Sequence, residues 1–285
     1  MTTTSHFTLS PTRRQVGLFI LLVLALGVGF AVFPVLTPFY MFSPALAALL
    51  TLILTRDLRL RTLGHDLGLN RFDLRRWPAA LFLPALALTP GYVMLTALGR
   101  VQWDARLAQY TWLGGAIYVV FTLILNTLTF SLGEEIGWRG FLLPRLLELG
   151  PARASLLTGV IWAVWHYPLI FLGQGYLPPG PRLPLTLLFT LTLMAISVVI
   201  GRLWAYRRSL WVAALFHSAH NTVWGLWSNL VLATPVVGLW AGESGLIPLA
   251  LYTLLALALG WKGRAEPPDA VRSKPPEGIG DPRVP

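Results

Sequence analysis

The chain has no cysteine, which removes disulfides, a cysteine nucleophile and thiolate-held metal together. It is also poor in charge. Asp, Glu, Lys and Arg make up 12% of its 285 residues, about half of the ~25% usual in soluble domains. Too little polar surface remains to face water on all sides. Acidic residues are the scarcer sign, 12 against 22 Lys and Arg, for a net charge of +10. The HExxH pattern of one class of membrane zinc protease is absent, and every Asp falls in a loop or tail, which excludes a diaspartyl membrane site. Five His are too few for the histidine boxes of a desaturase.

Hydrophobic residues fill the space the charges leave, at 55% of the chain with a mean hydropathy of +0.65. Eight apolar runs stand out, over residues 16–36, 39–55, 78–98, 112–132, 154–172, 183–204, 210–230 and 244–261. Each is near the ~20 residues a bilayer helix needs, the second and last being short. The expected fold class is therefore all-α, a polytopic transmembrane helical bundle of about eight spans. The first run is too long for a signal-peptide core and lacks a small-residue cleavage site, so it counts as a span.

Lys and Arg lie between the runs. With the N-terminus in the cytoplasm, nineteen of the 22 fall in inner segments, and only Arg100, Arg106 and Arg182 fall outside. That asymmetry predicts both termini in the cytoplasm and the lipid bilayer as the main partner. It argues against nucleic acid, which would need a soluble basic module. The expected organisation is a cytoplasmic segment (1–15), N-terminal spans with a basic inner loop (16–111), a core (112–230), a last loop and span (231–261) and a disordered Pro- and Gly-rich tail (262–285). Twenty Arg against two Lys imply a GC-rich, bacterial source and so a bacterial plasma membrane.

Ionisable groups at membrane depth are expensive, so they are read first as functional. Three groups qualify. In Gly133-Glu134-Glu135-Ile136-Gly137-Trp138-Arg139-Gly140, Glu135 and Arg139 stand four apart on a helix and can pair. Glu134 points about 100° away, and an unpaired, half-desolvated carboxylate suits a general base. In the second group His166 follows Trp162 by one turn, beside Pro168, whose ring disturbs the carbonyl of Val164. In the third, His217, His220 and Asn221 share much of one helix face, with small Ser218 and Ala219 between them. Each group alone is equally an interhelical bond or a helix-end ion pair. Together they supply a carboxylate, an imidazole and a His/Asn donor pair, the parts of a water-activating hydrolase.

In order and spacing, Glu134-Glu135-x-x-x-Arg139, then His166, then His217-x-x-x-Asn221 resemble the three motifs of the CPBP family of intramembrane proteases. That family includes CAAX prenyl endopeptidases and the bacteriocin-processing and immunity (Abi) proteins. The resemblance, over about 112–224, implies that Glu134 and His166 activate water and that His217 and Asn221 form the oxyanion side. Glu135 and Arg139 would then hold the first motif. The family's second motif usually begins with Phe where this chain has Trp162. The family is labelled metalloprotease. Glu134, His166 and His217 would be the ligands of a divalent metal such as zinc, and the spacing does not choose between that and water activation by Glu alone. The expected substrate is a peptide bond in a membrane-associated or lipidated peptide or membrane protein.

Two further patterns compete. Gly242-Glu243-Ser244-Gly245 has the form of a rhomboid nucleophile motif, but no His follows His220 to serve it. The same scaffold also suits a non-catalytic bacteriocin-immunity or partner-binding protein, or a proton-coupled transporter that relays through its buried Glu and His.

Overall fold

A helix satisfies its own backbone hydrogen bonds, which lipid cannot do, and every long apolar run of the chain becomes one. In the computed structural model, which describes residues 11–105, 111–172, 176–243 and 245–260, the order is α1 (Pro11–Val32), a 3₁₀ stretch (Thr37–Phe42), α2 (Ser43–Leu54), α3 (Leu63–Leu67) and α4 (Trp77–Ala97). There follow α5 (Trp112–Leu128), α6 (Phe130–Glu135), a π-helical segment (Ile136–Leu142), α7 (Leu143–Leu146) and α8 (Pro151–Phe171). The last are α9 (Arg182–Ala205), α10 (Leu210–Leu230), α11 (Pro235–Trp240) and α12 (Leu246–Leu259). The described residues contain no strand, only a single bridge between Trp103 and Val231. The expected disordered tail and Arg106 lie outside the described residues.

All eight runs carry a helix, and six helical stretches among the described residues are long and apolar enough to cross a membrane. Two fall short of that measure for different reasons. Helix α12 has 14 residues, about 21 Å against a hydrocarbon core of ~30 Å. Helix α10 has 21 residues but carries His217, Ser218, His220 and Asn221, and it packs against α4, α5 and α9. Its polar groups face protein, so it tolerates them.

The fourth run departs most from expectation. The apolar run stops near residue 132, yet helical backbone continues over Trp112–Leu149, 38 residues, broken only at Thr129 (φ −124°, ψ −89°). Hydropathy falls after Leu132 because Gly, Glu and Arg enter. Those groups point into the bundle and pair there, so the helix need not surface. Arg139 is fully buried, not a loop residue, and it leaves the inner charge count.

Small residues set the helix spacing. A Cβ on Gly159 would sit 2.7 Å from the Met194 Cα, and Ser197 donates to the Ser155 carbonyl at 2.8 Å, so α8 and α9 meet backbone to backbone. Threonine hydroxyls inside the spans bond the carbonyl one turn back, as Thr51 does to Ala47 and Thr158 to Ala154, and need no other partner in lipid. Apolar side chains such as Phe82, Leu86 and Ile124 face outward, as a lipid-solvated surface requires. The inner polar loop, expected along the headgroups, is fastened to the base of α10. Trp211 donates to the Leu69 carbonyl at 2.6 Å, Ser209 to that of Arg71 at 2.6 Å, and the Leu210 amide to that of Gly68 at 3.2 Å.

Candidate active site

Glycine spacing explains how the first motif reaches the interior. Gly133 and Gly137 lie one turn apart, and their Cα atoms press against the chain entering α2. A Cβ would meet the Met41 carbonyl oxygen at 3.0 Å from Gly133 and the Pro44 Cβ at 2.5 Å from Gly137. With that face flush against Phe42 and Pro44, the opposite face turns Glu134 and Glu135 inward, where both are buried. Both glutamates close α6, and the backbone after them, from Ile136, is the π-helical segment, a wider winding that recurs at functional sites.

The two carboxylates then diverge, as the helix angle requires. Glu135 accepts from Arg139 Nη1 at 2.8 Å, both side chains fully buried. The same oxygen of Glu135 lies 3.0 Å from His217 Nδ1, which donates to it. The rest of the guanidinium faces the Trp162 ring, its Cζ 4.8 Å from the ring centroid, a cation–π contact. Glu134 is held through one oxygen only. Its Oε2 accepts from Trp162 Nε1 at 2.7 Å and from Trp138 Nε1 at 3.3 Å. Its Oε1 stands 3.8 Å from His217 Nε2.

His166 Nδ1 lies 2.9 Å from the Trp162 carbonyl. A carbonyl can only accept, so this nitrogen carries the proton, and in the neutral ring Nε2 keeps its lone pair. The helix runs through Pro168 to Phe171. The lost amide bond to Val164 does not end it.

Glu134, His166, His217 and Asn221 line one cavity of about 190 Å³, room for several waters or part of a peptide. All four expected site residues therefore meet in one place, though they are up to 87 positions apart in the chain. Glu135 and Arg139 sit behind them, and Trp162 forms part of the wall. His220, expected to share the face only in part, also lines the cavity, with Nδ1 2.8 Å from the Tyr252 hydroxyl. Met41, Ile196, Ile200 and Trp224 give the remainder an apolar surface.

Three participants escape a reading by motif. Trp138 was recoverable, since it stands four residues after Glu134 on the same helix. Tyr176 and Glu243 come from connections after α8 and before α12, and no local pattern joins them to the site. Burial, with the carboxylates of Glu243 and Glu134 nearby, pushes the Tyr176 phenol well above its ordinary pKa, so it stays an O–H donor. The proposed metal set fares differently. Among the described residues no three His, Asp or Glu side chains are arranged to hold a metal ion. Both Nδ1 atoms are committed, one to a carbonyl and one to Glu135, which leaves Nε2 of each ring as the nitrogen open to a ligand. No step below passes through a metal.

Residues 115–223 match the family model of the type II CAAX prenyl endopeptidase Rce1-like proteins. Over 144 residues the chain is 29% identical to a CAAX prenyl protease 2 of Methanococcus maripaludis, covering 47% of this chain and 52% of that protein. The chain thus spans about half the length of the curated relative it matches.

Proposed function

We propose an activity from two premises: over residues 115–223 the chain belongs to the type II CAAX prenyl endopeptidase Rce1-like family, and those residues build the acid–imidazole cavity described above. The activity is intramembrane endopeptidase, the hydrolysis of a peptide bond in a membrane-associated or lipidated peptide. The relative's name, a CAAX prenyl protease, supports that substrate class.

One observation carries the mechanism. Both indole donors bind Glu134 through Oε2, which leaves Oε1 free within the cavity. A water donating one hydrogen to Glu134 Oε1 and the other to the His166 Nε2 lone pair is pinned, with its own lone pair turned toward a bound carbonyl. As the water oxygen bonds to the carbonyl carbon, its proton passes to Glu134. The carbonyl oxygen becomes an oxyanion. An imidazolium at His217, flanked by two carboxylates, donates Nδ1–H to Glu135 and turns Nε2–H toward that oxyanion, with the Asn221 amide as second donor. Collapse breaks the C–N bond, and the proton on Glu134 moves to the departing amine. Glu135 and Arg139 touch no reacting atom and fix the His217 ring.

The test is Glu134→Gln, which keeps shape and both indole bonds while removing the base. Purified into liposomes, it is expected to retain fold and substrate binding and to lose cleavage by at least 10²-fold, the scale of general-base catalysis. Cleavage at the wild-type rate would refute water activation by Glu134.

A further inference from the structure

The cavity holds a second carboxylate that the mechanism does not use. Glu243 reaches it from the turn before α12, within the Gly242-Glu243-Ser244-Gly245 sequence whose resemblance to a nucleophile motif found no histidine partner. The turn is built to hold it there. The Gly242 amide donates to Val237 at 3.0 Å and the Gly245 amide to Gly242 at 2.9 Å. A Cβ on Gly245 would sit 2.7 Å from the Trp240 carbonyl carbon, so the backbone packs too tightly for any larger residue. Beneath it, a Cβ on Gly91 of α4 would meet the Ala241 Cα at 3.0 Å.

Its surroundings leave it short of donors. The Glu243 side chain is 12% exposed, and among the described residues the only basic group within 4 Å is His220, with Nε2 3.5 Å from Oε1. That separation lacks hydrogen-bond geometry, and His220 Nε2, on a residue 96% buried, has no hydrogen-bond partner. The other ring nitrogen is occupied by Tyr252. If the ring donates to Tyr252, two acceptors face one gap. If it accepts from Tyr252, its single N–H still leaves most of the four acceptor positions of the carboxylate unfilled. Among the described residues no Lys or Arg lines the cavity; Arg139 is spent on Glu135 and the Trp162 face. A carboxylate with open acceptor positions, in a cavity whose described lining holds a second carboxylate and no Lys or Arg, selects a cationic donor.

We propose that Glu243, with His220 and Tyr252 behind it, forms a specificity subsite for a Lys or Arg side chain of the peptide substrate close to the scissile bond. The inference rests on the endopeptidase activity proposed above and adds a substrate class to it. A lysine ammonium fits between Glu243 and His220 Nε2, donating to both. A neutral side chain leaves them unpaired, and an acidic one is repelled. Glu243 acts on binding and orientation, and no bond is made or broken at it.

The experiment is a positional scan with fluorescence-quenched peptides bearing one farnesylated cysteine, cleaved by the full chain in liposomes. Lys, Arg, Gln and Glu are placed in turn at each of three positions on either side of the cleaved bond. At one position the wild type is expected to favour Lys or Arg over Gln roughly ten- to hundredfold in kcat/KM, the scale of a hydrogen bond to a charged group. Glu243→Gln should erase that ratio, Glu243→Asp should keep part of it, and Glu243→Lys should turn the preference toward Glu. Absence of a basic preference at every position, or its survival in Glu243→Gln, overturns the subsite. So does failure of Glu243→Lys to favour Glu, judged on protein whose unfolding matches the wild type. Cleavage that persists in Glu134→Gln, or no cleavage of any peptide, strikes at the endopeptidase activity itself and is distinguished by that control.

Discussion

Two adjacent glutamates in one helix do different work because one residue of helix turns the chain by about 100°. Glu135 is paired with Arg139 and His217, and Glu134 is bound to two indoles with one oxygen free. Removing half of a fully buried ion pair strands the other charge, a cost on the order of 3 kcal/mol. Glu135→Gln is therefore expected to lower the unfolding temperature clearly, while each folded molecule keeps some turnover. A variant as stable as the wild type but inactive would make Glu135 a participant in the chemistry. At the oxyanion side, His217→Ala and Asn221→Ala are each expected to lower single-turnover cleavage by about 10²–10³ with little change in apparent affinity. The double variant should lose little more than the worse single one if the two donors act as a unit. Equal unfolding shifts with unchanged rates would reduce them to bonds between helices. His220 belongs with Glu243, so its truncation should alter the choice among peptides more than the rate for one.

At the scale of elements, the helical stretch Trp112–Leu149 and the 3₁₀ entry to α2 form a closely fitted pair. Gly137 has no space for a methyl, with Pro44 atoms at 2.5 and 2.8 Å from the position a Cβ would take. Those neighbours are ring and backbone atoms that cannot swing aside. Gly137→Ala should push the π-helical segment from α2, destabilise the protein by about 1–3 kcal/mol as overpacking does, and shift Glu134 from the cavity and Glu135 from His217. The observable is a joint fall in unfolding temperature and in cleavage. Gly115, with nothing within 4 Å of its Cβ position, is the control that should tolerate alanine. An unaffected Gly137→Ala would mean the contact does not set the position of the glutamates.

For the molecule as a whole, the distribution of arginine suggests an orientation. Even without Arg139, which is buried, the basic side chains cluster on connections of one side, as at Arg75 and Arg207, while Arg100 and Arg182 lie on the other. The lack of cysteine makes this easy to test, because any introduced thiol is unique. Arg75→Cys and Arg207→Cys should resist a membrane-impermeant maleimide in intact cells and react after permeabilisation. Arg100→Cys and Arg182→Cys should react from outside. The reverse pattern would invert the arrangement and place both termini outside.

The helices, the lipid-facing character and the three clusters of polar residues followed from the sequence alone. Hydropathy, charge scarcity and i, i+4 spacing are local properties, and lipid leaves helix as the default backbone for an apolar run. The Glu135–Arg139 pair was legible for that reason. Local hydropathy is a poor guide where polar residues face protein, so the fourth apolar run stops near residue 132 while its helical stretch continues to Leu149. The tertiary structure decided which groups meet. The bond of His217 to Glu135 joins residues 82 apart, that of Trp162 to Glu134 residues 28 apart, and that of Tyr252 to His220 residues 32 apart. Nothing in the spacing selects those partners. They arise because glycine faces let particular helices approach, and the rotation of each helix then determines which side chains share the cavity. Glu243 shows this most plainly: a turn residue with no periodicity becomes part of the site only when α4 and α11 hold its loop over α10.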